Sequence, residues 1–229
     1  MKKIVAIAAA AAAIPIWACT TIVAGKNATA TGRVILGHNE DDRGNFEVLH
    51  GFVPARAFRP GAKLPAEKGL AEIPQMPKTL GYYWSEVKGP SGSPSFADVF
   101  LNEKGVAIVS NNARGKPQSD PSLLVEGGLA WALRRAVAER AASARDAVDV
   151  ITNLVSTWGY SGAGRIYTVA DSDEAWVVEL VYGRRHFVAR RVADDEVALI
   201  PNAYTIRTFK PGDVLSPDLA AKGQVCKCF

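Results

Sequence analysis

The sequence predicts an α+β fold in which two antiparallel sheets pack on one another with helices outside. Three observations carry this: β-rich runs with turn signals in the N-terminal part, helical periodicity from Pro121 to Trp158, and four more β-rich runs between residues 166 and 200. With 229 residues, of which 48% are apolar and 22% charged, the chain can bury a sizeable core. One domain over residues 19–229 is the expectation.

Thr20 to Ala24 and Arg33 to Gly37 flank a polar Asn, Thr and Gly link, the signature of a hairpin that starts at Cys19. Residues 43 to 95 are rich in Pro and Gly and carry Phe46, Phe52, Phe58, Tyr82, Tyr83 and Trp84. They read as long loops with short strands that shape a binding cleft. Ala97 to Leu101 and Val106 to Ser110 form a second hairpin around Asn102-Glu103-Lys104-Gly105, with Gly105 where positive φ is wanted. Leu129, Leu133, Val137 and Ala141 recur at helical spacing. Ser143 with Asp146 makes a capping box for a second helix bearing Val148, Ile151 and Val155, and Gly159 closes it. Ile166 to Ala170, Ala175 to Val181, His186 to Val192 and Val197 to Ile200 complete the strands.

Residues 1–18 begin with Lys2-Lys3, continue through an Ala-rich apolar run and end in Ala18, the layout of a secretory signal peptide. The run falls short of the roughly 20 residues that span a bilayer. The expected product is therefore exported, periplasmic or extracellular, without stable membrane insertion. Removing Lys2 and Lys3 from 27 basic residues leaves 25 against 23 acidic ones, too balanced for a nucleic-acid binder.

Three cysteines remain, Cys19, Cys226 and Cys228, and an odd count in an exported chain leaves a thiol unpaired or reactive. The terminal Cys226-Lys227-Cys228 lacks a second pair for zinc and is read as incidental. Cleavage after Ala18 would give Cys19 both a thiol and a free α-amine, whose pKa of about 8 suits it to deprotonate the thiol. Such a site also needs a group to orient the amine and donors for an oxyanion. Two other readings of Cys19 stay open: a lipidated residue, because Ile16-Trp17-Ala18-Cys19 partly resembles a lipoprotein box, and a buried inert cysteine.

The run Cys19-Thr20-Thr21-Ile22-Val23-Ala24-Gly25-Lys26, followed by Gly37-His38-Asn39-Glu40-Asp41, resembles the opening of the dipeptidase family of cysteine N-terminal-nucleophile hydrolases, relatives of penicillin V acylases and bile salt hydrolases. Asn102 to Val106, Ser110-Asn111-Asn112-Ala113, Asp171 to Trp176 and Pro201-Asn202-Ala203-Tyr204 are similar to later parts of that family, so the likeness spans about residues 19–218. It implies a four-layer αββα sandwich, no cofactor or metal, and a dipeptide or small amide as substrate. It also implies Cys19 as nucleophile with its amine as base, Asp41 near the amine and thiol, Asn112 near the oxyanion and Asn202 donating to it. His38 stands where acylase relatives carry an arginine, and His38 and Asn39 are candidates for substrate contact. Glu40 has no assignment. On the residues alone, Asn39, Asp41, Asn112 and Asn202 serve equally well as satisfiers of turn backbone.

The resemblance further implies a longer chain, and the tail Gly223 to Phe229 reads as a truncation or a shifted frame that omits closing helices and an arginine. Competing signals are weak. Gly159, Gly162 and Gly164 lie between helix and strand, the reverse of a dinucleotide-binding turn. His38, His50 and His186 are dispersed, which argues against a metal site, and Ser91 and Ser93 miss a nucleophile-elbow spacing. Arg184-Arg185 and Arg190-Arg191 fit a solvated face or a substrate-carboxylate contact. The leading expectation is an exported cysteine dipeptidase. An acyl-amide hydrolase of the same fold and a lipid-anchored or inactive binding protein are the alternatives.

Overall fold

A β-branched run with alternating burial makes the first strand: in β1 (Thr20–Ala24) Thr21 and Val23 are buried while Ile22 faces out. The structure, a computed structural model, describes residues 19–41, 47–88, 96–113, 115 and 120–221. The proposed leader 1–18, Phe46, Ser91, Ser93, Cys226 and Cys228 lie outside them. β2 (Ile35–Asn39) completes the expected hairpin, two residues later than its sequence bounds. β1 is the middle of a three-stranded antiparallel sheet, with β2 on one side and β10 (Val197–Ile200) on the other.

The second sheet has eight antiparallel strands. Its order is β11 (Val214–Leu215), β9 (Phe187–Arg191), β8 (Ala175–Leu180), β7 (Arg165–Ala170), β6 (Ala107–Asn112), β5 (Phe96–Asn102), β4 (Tyr82–Lys88) and β3 (Glu47–Val53). Its centre is covered on both faces, so β8 is buried along its whole length. Val23, Ile166, Val177, Val188 and Ile200 fill the space between the sheets. Tyr167, Val169, Trp176, Val178 and Leu180 pack the other face against α1 (Ala132–Arg140) and α2 (Ala144–Trp158). A short α3 (Pro217–Ala221) ends the described chain. This is the expected α+β sandwich of two antiparallel sheets with helices. The outer face of the smaller sheet carries exposed Ile22, Ile35, Val197 and Leu199.

Two expectations change. The segment 43–95 contains two seven-residue strands, β3 and β4, at the sheet edge, with residues 54–81 irregular between them. Most of β3 is exposed, so it has no alternation that a sequence reading can detect. The first helix begins at Ala132, not near Pro121, because Glu126, Gly127 and Gly128 take φ of 49°, 82° and 77°, which no α-helix contains. Gly127 has a second constraint: a Cβ there would lie 2.2 Å from the Gly69 carbonyl oxygen. The second helix starts as expected. Ser143 accepts from the Asp146 N–H at 3.0 Å, while the Asp146 carboxylate accepts from Ala142 N at 3.2 Å, one residue earlier than a standard box.

Buried Asn102 ties the β5–β6 turn to the end of α1. Its Nδ2 donates to Ala138 O at 3.1 Å and Ala141 O at 2.7 Å, and its Oδ1 accepts from Lys104 N and Val106 N at 3.0 Å. Asn102→Ala strands these four groups and is expected to lower stability by about 3 kcal/mol, read from the chemical-denaturation midpoint at unchanged m-value.

Candidate active site

Cys19 immediately precedes β1 and is 6% exposed. In the ladder Thr20 opposes Asn39 and Thr21 opposes His38 on β2, so the next pair outward sets Cys19 against Glu40. On the other side Thr21 opposes Ile200, and carrying that register two residues further sets Cys19 against Asn202. Cross-strand partners share a face, so one sulfur is bracketed by an acid and an amide.

The contacts follow. The thiol donates to Glu40 Oε1 at 2.9 Å. Glu40 Oε2 is 3.2 Å from His38 Nε2, and His38 Nδ1 is 2.8 Å from Thr21 Oγ1. The Thr21 hydroxyl donates to Asn111 Oδ1 at 2.6 Å, and Asn111 Nδ2 donates to Ile200 O at 3.2 Å. This last bond orients the Asn111 amide and so the whole row. Thr21 spends its one hydrogen on Asn111 and can only accept from His38, so Nδ1 carries a hydrogen. The His38 Nε2–Glu40 Oε2 contact closes the row, which links the sulfur to Asn111 through Glu40, His38 and Thr21.

Asn202 Nδ2 donates to Asn112 O at 2.8 Å, which leaves its other N–H for the sulfur. Asp41 supplies a main-chain N–H to the same sulfur. Cys19, Asp41, Asn112 and Asn202 therefore come together, Asn112 through its carbonyl. His38 joins them as a link whose side chain is 4% exposed. Asn39 alternates to the exposed side of β2. Glu40, Thr21 and Asn111 are additions that the sequence reading left out, and their signal is the strand register.

Burial pushes the Cys19 thiol up to about 11; Glu40 adds to the rise through its hydrogen bond and charge, while the Asp41 N–H and the Asn202 amide pull it down. Burial also raises the Glu40 carboxyl, but the hydrogen bonds from His38 and Cys19 outweigh it and leave the group below its ordinary value. The loop after Asn202 is held by buried Glu179, which accepts from Thr205 N at 2.6 Å, Thr205 Oγ1 at 2.9 Å and Ile206 N at 3.1 Å.

Other sequence signals resolve structurally. Gly164 allows a close approach, since a Cβ there would lie 2.3 Å from the Tyr204 hydroxyl and 2.5 Å from Ala113 O. Arg190 pairs with Asp213 through two bonds of 2.9 and 2.6 Å, Arg191 with Glu174 and Asp194, and Arg185 holds Leu123 O. Tyr82 and Trp84 line a cavity of about 360 Å³ with Arg56, Phe100 and Arg135, and none of the residues around the sulfur belongs to it. No cluster of metal-ligating side chains occurs among the described residues, and none of their helices is long and apolar enough to cross a membrane.

Because Glu40 contributes to the high thiol pKa, Glu40→Gln is expected to lower it. With Cys19 still inside the uncleaved chain, iodoacetamide alkylation of the parent protein rises with pH toward about 11. In Glu40→Gln the same rise starts at lower pH, giving faster labelling at pH 8. An unchanged profile would contradict the contact.

Residues 18–222 match Peptidase family C69. A probable dipeptidase of Latilactobacillus sakei is 29% identical over 210 residues, covering 87% of this chain and 42% of that protein. A probable dipeptidase of Salmonella dublin is 26% identical over 220 residues, covering 93% and 49%. A probable dipeptidase B of Streptococcus pyogenes is 29% identical over 196 residues, covering 82% and 38%. The chain thus spans less than half the length of these relatives. Among solved structures, penicillin V acylase from Agrobacterium tumefaciens aligns with 79% of this chain and 51% of its own at 14% identity and a TM-score of 0.47. A mutant of the conjugated bile acid hydrolase from Clostridium perfringens aligns with 86% and 62% at 14% identity and a TM-score of 0.49. With the match running through the thiol, both sheets and the Asn202 loop, the chain belongs to peptidase family C69.

Proposed function

We propose that this chain is an exported cysteine dipeptidase of the N-terminal-nucleophile type, made competent by cleavage after Ala18. The observation that carries the reading is the convergence of the Glu40 carboxylate, the Asp41 N–H and the Asn202 amide on one buried sulfur. Family membership and the leader-like residues 1–18 support it.

A thiol with a pKa near 11 holds roughly one part in ten thousand as thiolate at pH 7, so attack needs a base beside it. The α-amine released at Cys19 supplies that base within the same residue. The amine takes the thiol proton as sulfur bonds to the substrate carbonyl carbon, and the C=O electron pair moves onto oxygen. The Asn202 N–H beside the sulfur donates to that oxyanion, and the Asn112 carbonyl fixes the amide in place. Collapse of the intermediate breaks the C–N bond, and the leaving amine takes the proton from the ammonium. Water then attacks the thioester with the amine again as base, releasing the first amino acid and restoring the thiol. Glu40, held through His38 and Thr21, orients the sulfur and balances the charge of the ammonium.

The exported protein is expected to begin at unmodified Cys19 by intact mass and N-terminal sequencing; retained residues 1–18 or a lipid on Cys19 would remove nucleophile and base together. Cys19→Ala should abolish dipeptide hydrolysis. Asn202→Ala should lower kcat by roughly 10²- to 10³-fold with little change in KM. Activity that survives Cys19→Ala, or turnover of acyl amides but not of dipeptides, would defeat the reading.

A further inference from the structure

Arg165 opens β7 and is the register partner of Asn112, whose carbonyl holds the Asn202 amide against the sulfur. Its side chain leaves the strand on the helix side of the larger sheet, the face opposite to that of Ile166 and Asn111, at the level of Asn112. It lies over the indole of Trp131, with Cζ 5.1 Å from the ring centroid, and Arg134 lies over the same ring at 4.4 Å. The two cations meet the ring differently with respect to solvent. Arg134 is 1% exposed, Trp131 is 39% exposed, and Arg165 is intermediate.

Arg165 has no carboxylate partner among the described residues, whereas Arg135, Arg190 and Arg191 all do. Its Nε is buried without a hydrogen-bond partner, and its polar neighbours include the hydroxyls of Tyr160 and Tyr167. Burying a guanidinium with a donor left open is costly unless an anion completes it. The field of this pair reaches the carboxylate that holds the thiol: Arg134 contributes to holding the Glu40 carboxyl low, and Glu40 in turn favours the charged form of Arg165.

We propose that Arg165, seated on Trp131 with Arg134 behind it, binds the free carboxylate of the dipeptide substrate, an assignment that rests on the hydrolase reading above. A dipeptide carries its carboxylate one residue beyond the scissile carbonyl, on the leaving side. A planar guanidinium fork matches that group in two hydrogen bonds and fixes the carbonyl over the sulfur. A longer peptide has an amide at that place and leaves the fork unpaired, so the same contact restricts the enzyme to dipeptides.

The test compares an unmodified dipeptide with the same dipeptide carrying a C-terminal amide, using the processed protein, Arg165→Met and Arg165→Lys. The parent protein should prefer the free acid. In Arg165→Met, KM for the free acid should rise roughly 10- to 100-fold while kcat/KM for the amide stays within about twofold, and Arg165→Lys should restore part of the preference. The amide also serves as the folding control. Equal loss on both substrates, or a preference for the free acid that survives Arg165→Met, would overturn the assignment. A parent protein that hydrolyses neither substrate would overturn the hydrolase reading, and this assignment with it.

Discussion

The register of one central strand is the constraint on which the rest of the site depends. β1 pairs with β2 on one side and β10 on the other, and the residue just before it is Cys19. Because side chains alternate along a strand, the faces of all three partners are set at once: Thr21, His38 and Ile200 turn inward together, and so do Cys19, Glu40 and Asn202 beyond them. A slip of one residue in either pairing would send Glu40 or Asn202 to the face occupied by Ile22, Ile35 and Leu199. Burial of Val23 and Ile200 between the sheets opposes that slip, so the hydrophobic core fixes the alignment of the polar groups.

The row from Asn111 to the sulfur adds a second tie, this time between sheets. Asn111 belongs to β6 of the larger sheet, and it meets Thr21 of the smaller sheet and the main chain of Ile200. All three residues are buried, so each bond stands in for water that the interior excludes. His38 is held at both ring nitrogens as part of this tie. An imidazole at that place joins β2 to β1 and presents Glu40 to the thiol, a geometry that depends on two nitrogens at opposite ends of a flat ring.

Charge is distributed in two ways. Arg190 and Arg191 of β9 are matched by carboxylates of the neighbouring loops, and Arg135 by Glu139 one turn on within α1. Glu179 is matched instead by main-chain and hydroxyl donors, and burial keeps its carboxyl above the ordinary value even so. Arg165 stands apart from both groups, a cation resting on an aromatic face within the field of Glu40. Its partners Trp131 and Asn112 come from the start of α1 and the end of β6, far apart in the chain, so no local pattern marks them as neighbours.

The amino-acid sequence by itself determined the local elements. The β-branched runs, the Asn102 to Gly105 turn and the Ser143 cap appear where periodicity and turn chemistry place them, because these depend on contacts a few residues apart. The motif around Cys19 likewise indicated the family. It did not determine the edge strand β3, whose exposed residues carry no alternation, or the late start of α1, which follows from three left-handed residues that make a close approach to the loop at Gly69. Nor did it determine the roles of Glu40, Asn111 and Arg165. Each is defined by a partner on another strand or helix, and such pairings arise only when the register of both sheets and the packing between them are set.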